Sequence, residues 1–314
     1  MIQYLTHNRI DKKRWDDCIT RSLNRRIYAF SWYLDRVCPC WDALIGSDYE
    51  SVFPLTSNRK WAIRYLYQPY FTQQLGIFSV NPVNQEIVSE FLTSIPAEFR
   101  FAEIQLNTMN AFPVAGWKVK NRINHELSLN DPYQKIAGQY SQNTRRNLKK
   151  AREAGVYIGN QPSVNDLVDL FRANFGDREG KLKTKNYRMV TGLLDYFVQH
   201  NMGSPVGIYS AQDKLSSAAF FVQDQSRIYF LFAASSPQAR ENGAMFCLID
   251  SFVADHAGKP FTLDFEGGND PQLGRFYKSF GAREVEYPAM TMNRLPALIQ
   301  TGLKVVGKLG SSEN

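Results

Sequence analysis

Residues 163–175 run Ser-Val-Asn-Asp-Leu-Val-Asp-Leu-Phe-Arg-Ala-Asn-Phe, a capping serine followed by Leu167, Leu170, Phe171 and Phe175 at helical spacing. A second helix is predicted over 185–200. Three apolar, strand-like runs follow at 206–211, 215–223 and 227–234, separated by the polar turns Gln212-Asp-Lys and Asp224-Gln-Ser, which reads as an antiparallel meander. A long apolar-periodic stretch over 240–256 ends near Gly258. Thr262-Leu-Asp-Phe-Glu is then a strand, 271–280 a short helix closed by Gly281, and 283–292 a last strand.

The first half repeats this order. It predicts helices at 11–23 and 30–38, strands at 42–46, 50–56 and 61–68, a helix at 84–95, a strand at 101–107, an irregular crossover and a strand at 117–129. The turns Gly46-Ser-Asp and Gln212-Asp-Lys are about 165 residues apart, far longer than the ~20–50-residue unit of a solenoid, so the repeat implies a duplicated fold. The expected organisation is two α/β (α+β) modules, 1–130 and 131–314, each a mixed, mostly antiparallel sheet flanked by helices, divided before Asp131-Pro132.

This order of elements resembles that of the GNAT acyltransferases. Two motifs make the resemblance closer to the tandem-GNAT, Fem-type aminoacyltransferases that build peptidoglycan cross-bridges, and to related acetyltransferase-like proteins. The first is Tyr140-Ser-Gln-Asn-Thr-Arg-Arg-Asn-Leu-Lys-Lys-Ala-Arg-Glu-Ala-Gly; the second is Leu263-Asp-Phe-Glu-Gly-Gly followed by Arg275-Phe-Tyr-Lys-Ser-Phe-Gly-Ala. The resemblance implies an acyl or aminoacyl transfer in which the donor lies along a splayed strand, its pyrophosphate meets the N-terminus of the next helix, and an acid protonates the leaving group.

Each of those parts has a candidate in the second module. The donor strand is Tyr229-Phe-Leu-Phe-Ala-Ala, where Phe232 and the small Ala233 and Ala234 let a ligand approach the backbone, or simply pack a buried strand. The following helix opens with Arg240-Glu-Asn-Gly-Ala-Met; Arg240 and Gly243 fit the family's phosphate loop, and Met245 departs from it. Tyr277 occupies the family's acid position, where a phenol can give its proton to a departing thiolate or ribose oxygen. The alternative is an amphipathic tyrosine packed beside Phe276 and Phe280.

Asp264 and Glu266 lie two apart, so on one strand both side chains leave the same face, with Leu263 and Phe265 turned to a core. Their expected role is to orient or deprotonate an incoming amine from a cleft. The segment 141–155 predicts a helix with Leu148 and Ala151 on one side and Arg145, Arg146, Lys149, Lys150 and Arg152 on the other, against the single acid Glu153. Arg145, Arg146 and Lys149 are candidates for holding a phosphate-bearing ligand; a solvated basic face is the plainer reading. In the first module, Tyr67-Gln-Pro-Tyr-Phe-Thr-Gln-Gln suggests an acceptor pocket of Tyr70, Gln73 and Gln74, or an ordinary edge marked by Pro69. The first module has Pro113 where the second has Tyr277, and proline has no proton to donate, so the first module is expected to recognise rather than react.

Composition narrows the partners. A formal charge of +7 and a pI near 9.1 favour an anionic partner: acyl-CoA or aminoacyl-tRNA as co-substrate, with an amine acceptor such as a cell-wall precursor. The start lacks the apolar stretch of a signal peptide and no run approaches a membrane span, which predicts a cytoplasmic protein. The weakly amphipathic stretch after Leu295 is expected to dock on the body, with peripheral membrane contact as the alternative. Four cysteines without paired CxxC motifs predict reduced thiols and no structural zinc, and four scattered histidines speak against a metal site or a histidine triad. No bound cofactor is expected. The competing reading is a noncatalytic, degenerate GNAT pair that holds a nucleotide-linked or RNA ligand.

Overall fold

The computed structural model describes residues 1–175 and 183–296. Two compact units emerge, and only one is a single stretch of chain: Met1–Arg122 joins the described residues from Glu286 on, and Ile123–Val285 forms the other.

The first unit begins with β1 (Ile2–Leu5), α1 (Lys12–Arg21) and α2 (Ser31–Val37). Asp11 caps α1 by accepting from the Arg14 N–H, and the helix buries Trp15, Cys18 and Ile19. Next come β2 (Asp42–Gly46), β3 (Ser51–Leu55), the hairpin β4 (Ser57–Lys60) and β5 (Ile63–Tyr67), and β6 (Phe78–Ser79). Helix α3 (Gln85–Thr93) and β7 (Phe99–Gln105) follow, and β8 (Lys118–Ser128) leaves the unit after Arg122. The predicted three-strand meander is instead divided between two sheets: β1-β2-β3-β6, and the run β4-β5-β7, to which the last strand of the chain, β14 (Arg283–Asn293), adds antiparallel. Leu66, Phe91, Phe99, Ile104 and Met290 fill the core, each buried side chain of this size contributing about 1.5–3 kcal/mol.

The second unit takes residues 123–128 of β8 as a strand of its sheet. Helix α4 (Tyr133–Gly138), α5 (Gln142–Glu153), the short β9 (Tyr157–Ile158), α6 (Val164–Phe175) and α7 (Thr184–Gln199) lead into the meander β10 (Gly203–Tyr209), β11 (Leu215–Asp224) and β12 (Arg227–Ser235). The long helix predicted over 240–256 is broken. Ser236 caps α8 (Pro237–Asn242), Gly243 adopts a left-handed φ of 78°, and α9 (Ala244–His256) starts anew. Strand β13 (Thr262–Asp264), α10 (Pro271–Lys278) and the start of β14 complete the unit. The sheet order is β8-β13-β12-β11-β10-β9, with β12 and β13 parallel and the other pairs antiparallel. Its core stacks Phe221 on Phe252, with ring centroids 3.6 Å apart and planes 5° off parallel, beside Leu248, Leu263 and Phe265.

From residue 297 on, the amphipathic tail lies outside the described residues. Cys18, Cys38, Cys40 and Cys247 are all free thiols. Among the described residues no helix is long and apolar enough to cross a membrane, and no group of three or more acidic, histidine or cysteine side chains is placed to hold a metal ion.

Candidate functional site

The parallel pair at the middle of the second unit opens. Strand β12 pairs with β13 over Arg227–Tyr229 only, because β13 ends at Asp264 while β12 continues to Ser235. On its other side β12 stays paired with β11 as far as Ser235, with a bulge opposite the Phe220/Phe221 step that bends the strand. Beyond Tyr229, among the described residues, no strand pairs with the edge of β12 that faces β13, the stretch that includes Phe232, Ala233 and Ala234. Ala233 is half-buried against the core, and Ala234 is buried. Phe232 packs on Phe171 of α6 at 4.7 Å.

Tyr277 stands at this opening. Its ring stacks on Phe265, just past the end of β13, at 4.6 Å and 20°, and meets Phe230, just past the β12–β13 pairing, edge-on at 6.4 Å. With 6 % of its surface exposed it is part of the core wall, the packing position weighed against an acid role in the sequence. Burial, reinforced by the nearby Glu266 and Asp270 carboxylates, raises its pKa well above the usual tyrosine range. The phenol accordingly holds its proton at neutral pH, the state that a general acid needs.

The two carboxylates behave differently from the sequence expectation. Asp264 does not face a cleft. At 1 % exposure it accepts from Asn124 Nδ2 (2.8 Å) and pairs with the Arg227 guanidinium (2.7 Å), which also holds Glu126 at 2.7 Å; Arg283 reaches Glu126 from the outside at 3.2 Å. Burial works to lower the Arg227 pKa, but Asp264 and Glu126 outweigh it and the guanidinium stays charged. Asp264 is thus a structural anion, and its lone pairs are committed. Nor do Asp264 and Glu266 share a strand face, since β13 stops at Asp264 and Glu266 takes a left-handed φ of 59° in the turn that follows. Only Glu266 stays beside Tyr277.

The phosphate loop is also displaced. Arg240 lies exposed in the last turn of α8, not at the start of α9. Gly243 does begin α9, but the backbone of α5 fills the space that the glycine leaves: a Cβ there would lie 2.4 Å from the Asn147 carbonyl oxygen. Gly243 serves the close approach of α5 to α9, where no side chain would fit.

Helix α5 keeps its expected amphipathicity. Thr144 and Ala151 are buried and Leu148 packs on the core, while Arg145, Arg146 and Lys149 are exposed. Arg145 donates to the Gly138 carbonyl, Arg146 to Asn143 Oδ1, and Lys149 lies 3.6 Å from Glu153. Beside the N-terminus of α5 runs an open groove of about 550 Å³, lined by Ser141, Asn143, Gln272, Arg275, Phe276, Lys278 and Ser279. Its cations, Arg275 and Lys278, were missed in the sequence reading although they flank Tyr277 in the quoted motif. Helical spacing was the available signal: three residues apart, they share a face of α10 that Tyr277 does not.

In the first unit Tyr70 is half-buried, but Gln73 and Gln74 are not exposed to an acceptor. Gln74 is 1 % exposed and donates to Gln73 Oε1 at 2.7 Å, so these amides form part of the unit's polar interior.

Residues 138–279 match the family model described as the acetyltransferase (GNAT) domain. No curated protein matches the chain. Among solved structures, FemX is 13 % identical with a TM-score of 0.62, covering 97 % of this chain and 99 % of its own. A conserved protein of unknown function from Bacteroides thetaiotaomicron is 10 % identical at a TM-score of 0.60, covering 93 % of this chain and 99 % of its own. A tandem GNAT protein from the clavulanic acid biosynthesis pathway is 9 % identical at 0.53, covering 95 % of this chain and all of its own. These likenesses are of fold: the chain has the architecture of a tandem GNAT protein that resembles FemX.

Proposed function

For a chain of tandem GNAT fold whose second unit carries the acetyltransferase-type domain, we propose acyl or aminoacyl transfer to an amine by direct attack, catalysed in the second unit. The observation that carries this reading is the open edge of β12 with Tyr277 at its mouth. In the proposed step the amine nitrogen attacks the donor's carbonyl carbon, the bond from that carbon to the thioester sulfur or ribose oxygen breaks, and the Tyr277 phenol protonates the departing atom. Glu266, beside Tyr277, receives the proton that the amine gives up or orients the amine. Asp264 has no part beyond holding β13.

Of the two donor classes, the departure of Met245 from the family's phosphate loop speaks against a CoA pyrophosphate seated there. The exposed basic face of α5 and the groove with Arg275 and Lys278 favour a donor that carries its phosphates over a broader surface, an aminoacyl-tRNA. An amine-bearing cell-wall precursor is the acceptor class that the sequence resemblance to the Fem-type aminoacyltransferases implies, and a cytoplasmic setting suits both substrates.

The test is a thermal-shift titration with aminoacyl-tRNA, uncharged tRNA and acetyl-CoA, followed by mass-spectrometric detection of acylated amine. Stabilisation by tRNA and product from its charged form are expected. Stabilisation by acetyl-CoA alone would reverse the donor assignment. Saturable tRNA binding without product would make the chain a noncatalytic binding pair.

A further inference from the structure

The turn that carries Glu266 past Tyr277 is held by a template on β8. Asn124 Oδ1 accepts from the Gly267 N–H at 3.0 Å, and the His125 ring lies with Nδ1 3.0 Å from the Gly267 carbonyl oxygen. Because a carbonyl only accepts, that contact places the proton on Nδ1. Both backbone polar groups of Gly267 are therefore gripped by consecutive residues of one strand. The register extends on either side: Phe265 N–H donates to the His125 carbonyl, and Ile123 N–H to Asn269 Oδ1.

The fit around the imidazole is close. His125 has no exposed surface, and a Cβ at Gly268, where φ is +142°, would lie 2.1 Å from Nδ1. The glycine there is required by the ring, not merely by the turn. On the far side, Nε2 has no hydrogen-bond partner and faces Glu284 at 3.8 Å, whose carboxylate holds Lys278 at 2.6 Å. An apolar residue filling the same space would leave the Gly267 carbonyl without its donor, so packing alone does not account for a histidine here. The Tyr277 ring is 5.8 Å from the imidazole, and the same tyrosine approaches the Cβ position of Gly267 to 3.7 Å.

We propose that His125 is a positioning residue: by clamping Gly267 it sets the 265–269 turn, and with it Glu266, against Tyr277 in the transfer site. The proposal rests on the reading of that site given above, and its test separates the two. Asparagine at 125 offers an amide N–H near the Nδ1 position; leucine fills space without a donor. In the full-length chain, His125→Leu is expected to speed hydrogen exchange of the Gly267 amide at least about tenfold and to lower kcat by about 10- to 100-fold, with KM for the amine changed less than about threefold. His125→Asn is expected to restore both to within about threefold of the unmodified chain. Gly268→Ala, which displaces the ring, is expected to reproduce His125→Leu. If leucine leaves kcat and Gly267 exchange unchanged, or if asparagine is no better than leucine, His125 is only a packing residue and the clamp is refuted. If the unmodified chain transfers from no donor, the transfer reading fails, and the exchange data alone decide whether the clamp exists.

Discussion

The two units contain the same parallel strand pair and treat its end in opposite ways. In the second, β13 stops at Asp264, and among the described residues no strand takes its place beside β12. In the first, β5 pairs with β7 as far as Tyr67 and Glu103, and the chain then sews the gap shut. Gln68 Oε1 takes the Gln105 N–H at 2.9 Å; Leu75 donates its N–H to Gln105 O at 2.9 Å, accepts from Asn107 N–H at 2.8 Å, and forms a bridge with Leu106. A repeated order of elements therefore does not repeat a site. The difference lies in whether the chain itself supplies strand pairing past the end of the parallel pair, since buried backbone groups must find partners.

Tyr277→Phe gives the sharpest test of that contrast. Once a donor is in hand, it should lower turnover by about ten- to ten-thousand-fold while leaving donor affinity nearly intact, measured as separate kcat and binding constants. Retained turnover would break the link between the open edge and chemistry.

The second unit holds β13 by buried ions where the first uses amides. Asp264→Ala leaves Arg227 with Glu126 alone and should cost up to about 3–5 kcal/mol in urea unfolding, the scale of removing one partner of a buried pair. A cost below about 1 kcal/mol would mean that the strand end is held by its backbone alone. In the first unit, Leu75→Ala removes a buried side chain from the closure and should cost about 2–5 kcal/mol by the same measurement, without altering donor binding. Any gain of donor binding would show that Leu75 alone keeps the first unit from acting like the second.

Arg145→Ala, Arg146→Ala and Lys149→Ala combined should weaken tRNA binding and lower the slope of log affinity against log salt by up to about three, roughly one for each phosphate contact. An unchanged slope would make the α5 face a solvated surface. The smallest effect is expected for Arg283→Ala. The exposed end of the ion network, 77 % accessible, should contribute no more than about 1 kcal/mol to unfolding, against the several assigned to Asp264.

The sequence by itself determined the order of elements and the duplication, because helical and strand periods are local: Leu167 and Leu170 on α6, the three runs of the meander, and the basic and apolar faces of α5 were all legible. It also placed Tyr277 on the short helix after the last strand of the parallel pair, since motif and helix position coincide there. Period alone, however, predicted one long helix where Gly243 breaks it into α8 and α9. It put Asp264 and Glu266 on one face where a left-handed residue ends the strand register. Only the tertiary structure decided what each polar group faces. Asp264 is buried by Asn124, 140 residues away, and by Arg227; Gly243 is filled by the backbone of α5; Gln74 turns inward; and the last strand of each half joins the other compact unit. Period and propensity act between neighbours in the chain, whereas burial, ion pairing and strand-edge satisfaction depend on residues that only folding brings together.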